Sequence, residues 1–146
     1  DQHSLLNAEI PFFAGLVDQP IAALLQDLEE RGLLDETLVV FAGEFGRTPL
    51  GENRPGFATV TGRDHHPDSF SVFMAGGGAK GGLTYGETDE IGWSITKDPV
   101  DIADLHATIL RLFGVDHMAL SFEHLGVPQR LTPLTREAKV IDALMA

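Results

Sequence analysis

The sequence predicts an α/β domain. Two stretches have strand length and strand composition: Leu38-Val39-Val40-Phe41-Ala42 and Phe70 to Ala75. Two longer stretches, 4–31 and 100–113, place apolar residues three and four apart, the period of a helix. Polar blocks also collect at the strand ends. The first strand runs into Glu44-Phe45-Gly46-Arg47-Thr48-Pro49, and Arg63-Asp64-His65-His66-Pro67 stands just before the second. In open α/β sheets ligands bind outside the carboxyl ends of strands, so these blocks mark the candidate site.

The elements follow in order. Leu16, Val17, Ile21, Leu24, Leu25 and Leu28 make the apolar side of a first helical stretch, interrupted at Pro11 and Pro20. Pro20 suits a kink or the first turn of a new helix capped by Asp18. Gly32 is a natural stop. Asp35-Glu36 turns the chain into strand 37–43. Residues 46–69 read as a long loop, a length that in a compact domain signals function or mobility. After strand 70–75, Gly76-Gly77-Gly78-Ala79-Lys80-Gly81-Gly82 turns sharply. It lacks the Lys-Ser/Thr ending of a phosphate-binding loop, so it is read as a bend. Leu83 to Gly86 is a short strand. The second helix, 100–113, starts at Asp98-Pro99, carries Ile102, Leu105, Ile109, Leu112 and Phe113 on one face, and stops at Gly114. Residues 117–125 form a short helix or turns, and Thr135 caps a terminal helix to Leu144.

The 146 residues form one domain, 1–146, long enough for a real core, with 43% hydrophobic residues. The 22 acidic residues against 10 basic give a net charge of −12, which disfavours nucleic acid and anionic membranes as partners. The chain has no cysteine, which excludes disulfides and thiolate chemistry. No apolar run approaches the ~20 residues of a membrane span. The chain opens at Asp1 without a methionine or a recognisable signal peptide, as a fragment or processed product would.

Carboxylates with imidazoles are the ligand set of zinc and similar divalent ions. Glu44, at the end of an apolar strand, needs a metal, a cation or several N–H groups; an ion pair with Arg47 or Arg63 is the alternative. Asp64, His65 and His66 arrive together. Neighbours on an extended segment face opposite ways, so one of the two histidines ligates while the other packs or contacts substrate; a hydrogen-bonded turn is the plainer reading. Asp1 and His3, two apart, share a face. By the same alternation, Glu44 facing the site would put Phe45 in the packing layer. His106 flanks the apolar face of its helix, and His117 and His124 are structural or surface residues. Arg47 and Arg63 suit a tetrahedral oxyanion, or pair with Glu44 and Asp64.

These blocks also resemble a known family. Thr37 through Pro49, Gly62-Arg63-Asp64-His65-His66-Pro67, Ala75-Gly76-Gly77-Gly78, Gly86 to Glu90, Asp104 to Thr108 and Arg130-Leu131-Thr132 are similar to recurring blocks of a large bacterial family. That family is identified as sulfatase-like, with a domain of unknown function, within the alkaline phosphatase superfamily. The resemblance covers nearly the whole chain. It implies the C-terminal part of a three-layer domain with a largely parallel sheet between helices. It implies a metal-dependent hydrolase of sulfate or phosphate esters, acting on a small-molecule or polysaccharide ester, and an exported protein, periplasmic or extracellular. Asp1, His3 and His66 would hold one divalent ion (zinc, calcium, magnesium or manganese), and Glu44 with Asp64 or His65 a second. Arg47 or Arg63 would bind the oxyanion, while the nucleophile belongs to an N-terminal half and is unknown here. Phe45 stands where superfamily members carry a ligand. That departure favours the alternative of a catalytically inactive binding or structural protein.

Overall fold

The computed structural model describes residues 3–53, 55–56 and 59–146. Helix α1 spans Leu6–Glu30 and runs unbroken through Pro11 and Pro20. Its first turn has no side-chain cap, and Leu5 sits at φ 52°. The segment at residues 5–6 is held instead by Thr61: Leu6 N–H donates to its carbonyl at 2.8 Å, and Leu5 N–H to its hydroxyl at 3.2 Å. These are donors that a helix N-terminus leaves without partners inside the helix. The far end closes on Gly32, whose φ of +66° lets Leu33 N–H reach back to the Leu28 carbonyl at 2.8 Å.

No residue of α1 is buried, and Ile10, Phe12, Phe13, Leu16, Val17 and Leu24 are exposed. As a helix of 25 residues with a mean hydropathy of 1.3 over its most apolar window, α1 is long and apolar enough to cross a membrane by length and composition alone. Soluble core helices and signal sequences pass the same test.

The largely parallel sheet expected above is not what forms. The described strands make four two-stranded antiparallel sheets: β1 (Val39–Ala42) with β4 (Val72–Ala75), β2 (Gly46–Glu52) with β3 (Gly62–His66), β5 (Glu87–Thr88) with β6 (Ile95–Lys97), and β7 (Phe122–His124) with β8 (Val127–Gln129). The reason lies in the connections. Parallel neighbours need a crossover of about a dozen residues or more, usually helical. The chain between β1 and β4 holds the β2–β3 hairpin instead, and it brings β4 back antiparallel, with Val39 opposite Ala75 and Ala42 opposite Val72. The expected long loop at 46–69 is therefore mostly a hairpin. The expected strand at 83–86 does not form, and pairing begins at Glu87.

The glycine run is a bend, as its spacing suggests. Gly76, Gly77 and Gly78 have φ of +72°, +55° and +80°. A Cβ on Gly76 would stand 2.4 Å from both the Leu34 and Thr37 carbonyl oxygens, and Gly77 N–H donates to that Leu34 oxygen at 2.9 Å. The run closes against the 3-10 turn Leu34–Glu36 that precedes β1.

Helix α2 (Ile102–Leu112) is capped by Asp101, whose carboxylate accepts from Ala103 N–H at 2.8 Å, and ends at Gly114, φ +75°. Its buried face is small: Ala103 and Ala107 meet Ala138, with Val140 against them. The terminal helix expected over 135–144 is absent except for a 3-10 turn at Asp142–Leu144. Residues 138–141 run along α2, tied by side chains. Asp104 accepts from Lys139 N–H at 2.8 Å and from the Arg136 guanidinium at 2.7 Å; the Thr108 hydroxyl accepts from Ile141 N–H at 3.0 Å. One helical step of four residues rises about 6 Å, close to the ~6.6 Å between alternate residues of an extended chain. Asp104 and Thr108 therefore match the N–H groups of residues 139 and 141, and these contacts outweigh local helix propensity.

The core is correspondingly slight. Among the described residues the buried apolar side chains are Ala103, Ala107 and Ala138. The accessible surface is 10235 Å² for 15.8 kDa, where a folded monomer of that mass exposes about 7,300 Å². Among the described residues the real core expected from chain length is not assembled.

Candidate metal centre

The β2–β3 hairpin builds the site. Its register sets Arg47 opposite His65 and Glu52 opposite Gly62, with an irregularity between Arg47 and Gly51. The N-terminal segment lies on this hairpin. Gly62 is buried, and a Cβ there would stand 2.0 Å from the carbonyl carbon and oxygen of His3. Only a glycine lets the two backbones approach so closely. The close approach delivers His3, itself buried, to the hairpin end where Glu52 and Asp64 project.

His3, Glu52 and Asp64 each offer a ligand atom, and these atoms lie within 4.8 Å of one another. His3 Nδ1 hydrogen-bonds the Glu52 carboxylate. Since a carboxylate accepts, Nδ1 carries the proton in that contact and leaves Nε2 with the lone pair when the ring is neutral. His3 Nε2 lies 2.8 Å from His65 Nε2. Arg47 crosses the same ring: its Nη1 is 3.2 Å from His3 Nε2 and 3.4 Å from Nδ1, and it donates to the Arg63 carbonyl at 3.3 Å. Asp64 accepts from His65 N–H at 2.7 Å through Oδ1. Ligand atoms around a tetrahedral zinc lie about 3.4 Å apart, and atoms on opposite sides of a calcium ion about 4.6–5.2 Å. The three atoms, within 4.8 Å of one another, offer oxygen and nitrogen donors of the kind a divalent metal takes.

The two neighbouring histidines part company. His65 turns to His3, whereas His66, buried, donates its Nε2–H to the Trp93 carbonyl at 2.7 Å and stacks on the Trp93 indole with ring centres 5.3 Å apart. That bond occupies the Nε2 of His66. Glu44 is exposed and lies outside the His3, Glu52 and Asp64 group, and Asp1 lies outside the described residues. Arg63 is exposed on β3. The chain bends at residues 44–45, so strand alternation does not extend from β1 to them. Phe45 consequently faces the site and not a packing layer: its ring centre is 4.3 Å from that of His65 and 5.9 Å from the Arg47 guanidinium carbon.

Glu52 is the residue that sequence reasoning missed. Its signal was the hairpin itself: Gly51-Glu52 and Gly62-Arg63-Asp64 flank a glycine- and proline-bearing turn, and pairing those arms sets a carboxylate beside Gly62. Trp93, the chain's single tryptophan, was also passed over.

Of the other histidines, His117 is buried with Nδ1 3.2 Å from the Thr132 hydroxyl, and His106 is exposed on a cleft of about 630 Å³ with Asp101 and Arg130. A second cleft, of about 470 Å³, adjoins the His3, Glu52 and Asp64 group through His65 and includes His65, His66 and Trp93 in its wall.

The chain matches, over residues 1–145, the family described as a protein of unknown function, DUF1501. It belongs to that family. No curated protein and no solved structure matches it. The family match spans the hairpin, the N-terminal segment and both clefts described above.

Proposed function

We propose that the chain holds a divalent metal ion through His3, Glu52 and Asp64, with His65 beside them, and serves a metal-dependent hydrolase of sulfate or phosphate esters. The observation that carries the metal is the approach of three ligand atoms, from residues far apart in sequence, to within 4.8 Å. The ester rests on the resemblance of Glu44 through Pro49 and Gly62 through Pro67 to sulfatase-like blocks of the alkaline phosphatase superfamily, and on Arg47 beside the ligands. A bound metal would polarise the ester and stabilise charge on its oxygens. The residues of this chain supply the rest: Arg47 offers N–H donors to a tetrahedral anion, Phe45 backs His65, and Glu52 orients the His3 ring through Nδ1. In this reading Glu52 takes the role first expected of Glu44.

Titration calorimetry with zinc and manganese, at pH 8 and pH 5, tests the reading, alongside hydrolysis of 4-nitrophenyl sulfate and 4-nitrophenyl phosphate. Binding should be weaker at pH 5, because a ligating imidazole nitrogen must be deprotonated. Metal binding with no hydrolysis of either ester would favour the non-catalytic alternative, for which Phe45 in place of a ligand speaks. No metal binding at pH 8 would end the proposal.

A further inference from the structure

The methionines are Met74, Met118 and Met145, and in a chain without cysteine their thioethers are the softest nucleophiles. Met118 is 46% exposed, whereas Met74 and Met145 are half-buried. Met118 follows α2 in a turn that Asp116 fixes. The Asp116 carboxylate accepts from Met118 N–H at 2.8 Å, and its carbonyl accepts from Leu120 N–H at 2.9 Å. Arg130, immediately after β8, lies against this turn, and its Nη1 donates to the Met118 sulfur at 2.9 Å.

That sulfur is a poor match for a guanidinium, because a thioether is a weak acceptor. Among the described residues it is the one acceptor that the Arg130 side chain reaches, and Arg130 Nε is buried with no hydrogen-bond partner. A buried donor left unpaired costs its desolvation. His117 and Thr132 join the same two segments, with Nδ1 3.2 Å from the hydroxyl. The turn at 116–120 and the segment 130–132 are thus held by two side-chain contacts, one of which has a weak acceptor.

One oxygen added to the sulfur removes the mismatch. A sulfoxide oxygen is a strong acceptor, and a hydrogen bond to it from a guanidinium is charge-assisted. Hydrogen peroxide can supply the oxygen. The sulfur attacks one peroxide oxygen, the S–O bond forms as the O–O bond breaks, and the other oxygen leaves as water with both protons. The sulfur is oxidised by two electrons and the peroxide is reduced. A methionine sulfoxide reductase working with a dithiol reverses the step: the dithiol becomes a disulfide and the oxygen leaves as water. The Met118 side chain turns on three flexible bonds, so the sulfur can retreat and set the new oxygen against Arg130.

We propose that Met118 is a reversible oxidation site for hydrogen peroxide, and that Arg130 receives its sulfoxide and so tightens the join between the turn at 116–120 and the segment 130–132. None of these residues belongs to the metal-ligand group.

The whole chain is exposed to limiting hydrogen peroxide in chelated buffer and digested with trypsin. Cleavage after Arg63, Lys80, Arg111, Arg130 and Lys139 puts the methionines on separate peptides, so mass spectrometry reads each one. Met118 should oxidise ahead of Met74 and Met145; oxidation of either of those first would overturn the site. Hydrogen exchange then reads the join. In oxidised wild type the amides of 116–120 and 130–132 should exchange about tenfold more slowly than in reduced protein, the effect of one charge-assisted bond. Reductase with dithiothreitol should restore the faster rate. Met118→Gln, whose amide oxygen stands in for the sulfoxide, should be slow without peroxide, and Met118→Leu should not respond to it. Arg130→Gln should still oxidise at Met118 but gain no protection. Exchange in oxidised wild type as fast as in reduced protein, or an equal gain in Arg130→Gln, would remove Arg130 as the acceptor's partner and overturn the proposal.

Discussion

His65 Nε2 stands 2.8 Å from His3 Nε2, across 62 positions of sequence. Neither residue's own strand or helix arranges this. The contact exists because β3 carries His65 and because the segment before α1 is laid over Gly62 at the other end of the same strand.

Glu52 and not Glu44 should govern metal binding. Glu52→Gln keeps the shape and removes the charge of a proposed ligand, and should weaken zinc by at least about tenfold, since loss of even a ligand's hydrogen-bond partner costs that much. Glu44→Gln should leave the affinity within about twofold, a change of roughly 0.4 kcal/mol. Calorimetry on the two variants checks this, and the reverse ranking would restore Glu44 as the ligand.

Gly62→Ala should act on the metal through His3. Its Cβ would overlap the His3 carbonyl at 2.0 Å, so the N-terminal segment must lift off. Zinc affinity should fall by about tenfold or more while the β2–β3 hairpin persists, since the Gly62 position lies in ordinary strand conformation. Amide exchange of β3 with zinc titration on the same sample distinguishes lost docking from a lost hairpin. Unchanged zinc affinity would mean His3 takes no part.

Phe45→Ala removes the ring against His65. The imidazole then gains rotational freedom, and zinc should bind a few-fold to about tenfold more weakly, as when an orienting group around a ligand is removed. Equal affinity in the folded variant would return Phe45 to a packing role. Thermal denaturation of the variant provides the folding check.

Acid should loosen the C-terminal segment through Asp104. Burial pushes this carboxyl upward, but the Lys139 N–H, the Arg136 hydrogen bond and the Arg136 charge together hold it below its ordinary value. A carboxyl lowered by folding contributes stability that is complete above the unfolded value of about 3.9 and is lost as pH falls through the folded value. Urea unfolding of the wild type should therefore weaken below about pH 4, and Asp104→Asn should flatten that part of the profile while costing about 1–3 kcal/mol at pH 7. Parallel profiles for the two proteins below pH 4 would remove Asp104 from the acid response.

Local signals in the sequence determined local structure. The helical period of 100–113, the stop at Gly114, the strand of Val39–Ala42 and the bend at Gly76-Gly77-Gly78 all depend on neighbours within a few residues, and each forms close to where its pattern predicts. The adjacency of Asp64 and His65 was legible for the same reason. Sheet direction was not, because it is set by what connects two strands: a hairpin occupies the place where a parallel pairing needs a helical crossover. The terminal segment was read as helix because its own residues permit one; Asp104 and Thr108, more than 30 positions earlier, draw it out straight by taking its N–H groups. Glu52 became a ligand candidate only through the register of β2 on β3, and Glu44 left the group because the chain bends after β1. Periodicity and capping are short-range properties that one-dimensional spacing records. Register, close backbone approach and side-chain capture of distant N–H groups arise only when segments meet in space, and those contacts decided the site.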